Sequence, residues 1–146
     1  MAQQDACTLL DEDHVKVERL FGDYTSAADP ARRRELGRTI CHELTIHTQI
    51  EEEIFYPAFQ RASGDTQLVQ ESRHEHQEAK DLIAKLEGKE TDEQLMQQLQ
   101  KAVEHHVSDE RQKMFPKARQ AKGLDLMQLG EQLQMRKSEL MAAHPA

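Results

Sequence analysis

The chain has 146 residues, enough for one domain with a core of ordinary size. Charged residues make up 32% of it and aromatics 4%, and the net charge of −8 argues against a nucleic-acid backbone as partner. Two cysteines, Cys7 and Cys41, are too few for a disulfide framework and suit the cytoplasm, while no basic-then-apolar leader opens the chain and no apolar run approaches the ~18 residues of a membrane span.

Residues 1–6 read as a frayed lead-in. From about Thr8 to Ala27, Leu10, His14, Val17 and Phe21 recur at helical spacing, which places His14 on an apolar face. Gly22 weakens the second half of that pattern. Asp29-Pro30 is a helix start, with the acid as N-cap and proline at the first helical position. The second helix runs from there to about Ala62, and Pro57 is expected to kink or locally break it. Its stripe reads Ile40, Leu44, His47, Glu51, Ile54, Ala58. His47 and Glu51 thus share one face, one turn apart, where core residues belong. A bare buried carboxylate is costly, so a cation held by both side chains is expected to compensate it.

Ser63-Gly64-Asp65 is a stop followed by a new N-cap. The third helix, about 66–87, carries Val69, Ser72, His76, Ala79, Ile83 and Leu86, and Gly88 ends it. Thr91-Asp92-Glu93-Gln94 reads as a capping box for a fourth helix that runs to about Lys122. Its stripe is Met96, Leu99, Val103, His106, Glu110, Met114, with Phe115-Pro116 behind it. A fifth segment, Asp125 to Ala142, carries Leu126, Leu129, Leu133 and Leu140 but no ligand-type residue on that stripe. It reads as a cover for the helices or as a contact surface for a protein partner or a second copy.

The chain repeats itself. Asp13-His14-x2-Val17-x2-Leu20 recurs as Glu75-His76-x2-Ala79-x2-Leu82, 62 residues on. His47-x3-Glu51 with Phe55-Tyr56-Pro57 recurs as His106-x3-Glu110 with Phe115-Pro116, 59 residues on. A helical hairpin written twice, with no strand signal, predicts an all-α fold. It is an up-down-up-down four-helix bundle over about residues 7–122 with an additional C-terminal helix over about 124–142, in a single domain covering 1–146. Inside the bundle His14, His47 and Glu51 face His76, His106 and Glu110. That set is too large for one closed zinc site, which takes about four ligands. It suits two metal ions with glutamates able to bridge, and mixed imidazole and carboxylate donors favour iron, then manganese. Iron with vacant positions binds dioxygen, peroxide or nitric oxide.

Other polar residues read more plainly. His42, His74 and His105 lie off the stripes, and His144 lies in a loose tail. Glu52 and Glu53 read as a solvated face, and Cys41 as packing. Tyr56, nine residues after His47, faces elsewhere unless Pro57 distorts the turn, in which case it is a candidate ligand or hydrogen-bond donor.

Taken together, Asp13-His14, His47-x3-Glu51-Glu52 with Phe55-Tyr56-Pro57, Glu75-His76 and His106-x3-Glu110 with Phe115-Pro116 resemble the bacterial hemerythrin-like (HHE cation-binding) domain, over about residues 7–120. The resemblance implies a non-haem di-iron centre bridged by two carboxylates and an oxo or hydroxo group, with manganese or zinc as substitutes. It also implies oxygen, peroxide or nitric oxide binding or turnover, or a sensing or iron-handling role. The oxygen carriers of that family have a fifth histidine four residues after the one in the third helix. Here that position is Lys80 counted from His76, or Glu78 counted from His74, so turnover or sensing is favoured over reversible oxygen storage.

Overall fold

The computed structural model describes residues 4–145, which hold five helices and no strand. Helix α1 is Ala6–Ser26. Helix α2 comprises Pro30–Ile50, a π turn at Glu51–Phe55 and the run Tyr56–Ser63. Helix α3 is Thr66–Leu86. Helix α4 comprises Glu93–Asp109, a second π turn at Glu110–Met114 and Phe115–Gln120. Helix α5 is Leu126–Ala143.

Every one of these helices begins at an aspartate. Asp5, Asp29, Asp65, Asp92 and Asp125 each accept a hydrogen bond from a backbone N–H in the first turn, satisfying a donor that has no partner within the helix. Two expectations change here. Asp92 caps α4 through Leu95 N at 3.0 Å, so the expected Thr91 box gives way to its neighbour. The lead-in is shorter than 1–6, since Asp5 already caps α1 and Ala6 is fully buried; residues 1–3 lie outside the described ones.

Neither proline breaks its helix. Proline lacks an N–H and its ring crowds the carbonyl four residues back. Both helices answer by widening one turn just before the proline: Tyr56 N–H reaches Glu51 O, and Phe115 N–H reaches Glu110 O, each five residues back. In such a turn residues i and i+5 stack. Tyr56 therefore stands over Glu51, and Phe115 over Glu110.

Helices α1 and α2 form one hairpin, α3 and α4 the other, and α5 lies along α1, α2 and the first π turn. The apolar core falls into two clusters. One gathers Leu10, Ile50, Phe55, Phe59, Met114 and the α5 residues Leu129, Leu133 and Leu140. The other gathers Val17, Phe21, Leu36, Ile40, Leu86, Leu99 and Val103. A buried polar layer separates them. Gly130 lets α5 lie directly on the N-terminal segment, because a methyl group there would overlap the Gln4 carbonyl. So α5 covers the bundle, as one of its two expected roles required. Cys41 stays a free thiol, pushed up to about 11 by burial, and acts in packing. No helix of the described residues is long and apolar enough to cross a membrane.

Candidate metal centre

The polar layer is built from the six residues singled out in the sequence. His14 comes from α1, His47 and Glu51 from α2, His76 from α3, His106 and Glu110 from α4, and all six are buried. They form two groups, His14/His47/Glu51/Glu110 and Glu51/His76/His106/Glu110, whose donor atoms lie within 4.8 Å of one another. Both glutamates belong to both groups. Glu51 Oε1 lies 2.9 Å from His47 Nε2 and 3.2 Å from His76 Nε2. Glu110 Oε1 lies 2.9 Å from His14 Nε2 and 3.3 Å from His106 Nε2.

Each imidazole is held from behind. Nδ1 of His14 donates to Asp11 at 3.1 Å, that of His47 to Asp13 at 3.1 Å, that of His76 to Glu52 at 3.0 Å and that of His106 to Glu75 at 2.8 Å. A carboxylate can only accept, so Nδ1 carries a proton and each ring, once neutral, presents its Nε2 lone pair inward. Carboxylate backing of this kind is how metal-binding histidines are usually oriented. Inside the cluster several atoms are close without being aligned for hydrogen bonds. His14 Nε2, His47 Nε2, both oxygens of Glu51 and Oε1 of Glu110 are buried with no hydrogen-bond partner. Unpaired buried polar atoms are costly. A bound cation would remove that penalty, so the donor set fits a metal centre.

Residues 5–118 match the model of the hemerythrin HHE cation binding domain. The chain belongs to this family.

An uncharacterized hemerythrin-like protein of Schizosaccharomyces pombe is 24% identical over 111 residues, covering 72% of this HHE chain and 55% of its own length. A DNA nickase of Nostoc is 29% identical over 106 residues, covering 70% of this chain and 30% of the nickase. The chain therefore spans about half of one curated relative and under a third of the other. In fold it is similar to the crystal structure of a hemerythrin HHE cation binding domain-containing protein from Mycobacterium kansasii, with a TM-score of 0.81 and 24% identity over 96% of this chain and 89% of that one.

The two halves of the HHE bundle differ in an ordered way. Asp11 and Arg73 occupy equivalent positions of the repeat, as do Arg111 and Glu52. In one half Asp11 backs His14 and is paired with Arg111 at 2.6 Å. In the other the charges are exchanged: Glu52 backs His76, with Lys80 at 2.8 Å and Arg73 at 3.9 Å. Asp11 and Glu52 both stay ionised, each held near 2. For Asp11 the leading cause is the hydrogen bond from His14; for Glu52, burial opposes the shift and the His76 and Lys80 bonds overcome it. Glu52 was expected on a solvated face and instead orients the ring of His76. Lys80, where the carriers have their fifth histidine, serves that glutamate.

Tyr56 is the second addition, delivered by the π turn. Its hydroxyl donates to Glu110 Oε2 at 2.9 Å and lies 3.0 Å from His76 Nε2. Phe115, its counterpart in the repeat, stacks on His14 at 5.9 Å instead. One side of the centre thus has a hydroxyl where the other has a bare ring. Tyr56→Phe strips Glu110 Oε2 of its partner while keeping the ring. The ion-free variant is expected to lose about 1–3 kcal/mol of stability, read by thermal unfolding of stripped protein.

The remaining histidines stay out of the cluster. His74 is 77% exposed beside Glu78. His42 reaches the carbonyl of His144, tying α2 to the end of α5. His105 is exposed and meets Glu75 at 3.1 Å and Asp109 at 3.4 Å, outside the buried pair of groups.

Proposed function

We propose that the protein holds two iron ions between the four bundle helices and uses them to bind, or react with, a small ligand such as dioxygen, peroxide or nitric oxide in the cytoplasm. The observation that carries this reading is the set of buried, partnerless atoms of His14, His47, Glu51 and Glu110, gathered with His76 and His106 into two donor groups. Iron with an open position supplies redox chemistry toward such ligands, while manganese or zinc suits the same donors as a substitute. The protein's part is to fix the donors through Asp11, Asp13, Glu52 and Glu75, and to exclude bulk water. Beside the cluster lies a cavity of about 20 Å³ whose other walls include Val17, Leu44, Ala79 and Val103. That is room for about one water-sized group, which favours a ligand of one to three atoms over any organic substrate. Tyr56 adds a hydroxyl donor at the His76/His106 side.

An iron- or redox-sensing module is the second reading. Its support is α5, which covers the centre and leaves Met127 and Met135 exposed for a protein partner or a second copy. The acidic net charge of −8 gives no reason to carry over the activity in the nickase's name. Protein grown with iron is expected to contain two irons per chain and to show the near-ultraviolet bands of a bridged diferric centre, changed by added peroxide. A colourless, iron-free product would remove the proposal. If the iron-loaded protein is inert to all three ligands but changes its oligomeric state on iron loss, the sensing reading replaces turnover.

A further inference from the structure

We propose that Lys137, on the C-terminal helix, is a positioning residue of the metal centre: it holds Asp13, and Asp13 aims His47. This rests on the di-iron reading above. Helix α5 lies beyond the stretch matched to the family, residues 5–118. Along α5, Lys137 occupies the stripe position between Leu133 and Leu140, where a core residue is expected. Its side chain is only 21% exposed, and its Nζ donates to Asp13 Oδ1 at 2.5 Å. The other oxygen of Asp13 accepts from His47 Nδ1 at 3.1 Å. Asp13 is buried, so both oxygens need partners, and each has one.

The other three backing carboxylates clarify what Lys137 does. Asp11 is steadied by Arg111, and Glu52 by Lys80, both from within the bundle. Glu75 meets only His105 and Asp109 beyond His106. His47 alone depends on a cation brought in from outside the four helices. Without that cation, Asp13 Oδ1 is left unpaired in a dry setting. The carboxylate then turns toward water or pulls harder on the His47 proton, and in both cases the Nε2 lone pair loses its fixed aim.

The test is the iron(II) affinity of full-length variants, measured anaerobically by competition with a chromogenic chelator. Loss of an outer partner typically costs 10- to 100-fold in metal affinity, and Lys137 stands one link further out, so Lys137→Met is expected to weaken binding about tenfold. Arg136→Met is the control. It removes the neighbouring α5 pair with Glu53, at 2.8 Å on the surface, and is expected to leave affinity within about twofold. Asp13→Asn keeps an acceptor for His47 and hence measurable binding. In that background Lys137→Met is expected to cost nothing more. Unchanged affinity in Lys137→Met, equal losses in both α5 variants, or a full tenfold loss on top of Asp13→Asn would each overturn the inference. Failure of the unsubstituted protein to bind iron would instead overturn the functional reading, and this one with it.

Discussion

Glu51→Ala is expected to empty both ion positions and to destabilise the bundle, whereas His42→Ala does neither. Glu51 belongs to both donor groups, so its removal cannot be confined to one ion. Its Oε1 lies 2.9 Å from His47 Nε2, 3.2 Å from His76 Nε2 and 3.6 Å from His106 Nε2. These rings rely on it for countercharge whenever they are protonated. Removing one partner of a buried charged set typically costs about 3–5 kcal/mol. Loss of the ions adds to that, because whatever binds only the folded state stabilises it. His42 lies on the same helix but faces the carbonyl of His144 at the protein surface. Elemental analysis of the purified variants and their thermal unfolding separate the cases. Iron contents that fall equally in Glu51→Ala and His42→Ala would show that the wrong face of α2 has been assigned. His14→Ala, which touches only one donor group, is the intermediate case and is expected to retain about half the iron.

The six inward residues were readable because a helix reports its buried face by spacing alone. His47, Glu51, His106 and Glu110 sit where leucines belong, and the repeat vouches for each copy through the other. Their backing was harder to read, because it crosses between helices. Asp13 neighbours His14 in the chain but serves His47, and Glu75 neighbours His76 but serves His106. Glu52 looked solvated because one turn of periodicity places it beside the stripe, and only the third helix, packed against it, turns it inward. A signal for it was present in the repeat. Where one half has Asp11 and Arg111, the other has Arg73 and Glu52, and an exchange of charge at paired positions marks side chains that meet. Tyr56 was legible only on the condition that Pro57 distorts the turn. A constant 100° per residue turns it away from the centre, and the π turn forced by Pro57 turns it back. Lys137 had the plainest signal of all, a lysine on an otherwise leucine stripe.

Protons are expected to stand in for the ions when the metal is stripped, which makes pH the second strong lever on this molecule. Burial alone would lower the His47 value, yet Glu51 and then Asp13 overcome it and raise it from 6.5 to about 10. His106 is raised in the same way, with burial opposed chiefly by Glu110, and His14 is raised against burial by Asp11 and Glu110. The value of Glu51 falls well below 4.5, since the charge on His47 outweighs its own burial. Near neutrality His14, His47 and His106 of the ion-free protein are thus held toward their protonated forms, beside an ionised Glu51. Iron needs the Nε2 lone pairs, so its uptake must expel those protons. Titration calorimetry in two buffers of different ionisation enthalpy should show the release, and the affinity should climb with pH. The stability of the ion-free protein should move the opposite way. A raised histidine value contributes fully below its unfolded value of 6.5, and that contribution is lost as pH rises toward about 10. At ~1.4 kcal/mol per unit, His47 alone is worth a few kcal/mol over that window. The iron-loaded protein has no such proton to lose. The gap between loaded and stripped melting temperatures should therefore widen steadily from pH 6.5 to pH 9. A gap that stays constant, with no proton release on iron binding, would mean that the histidines are not the groups from which iron displaces protons.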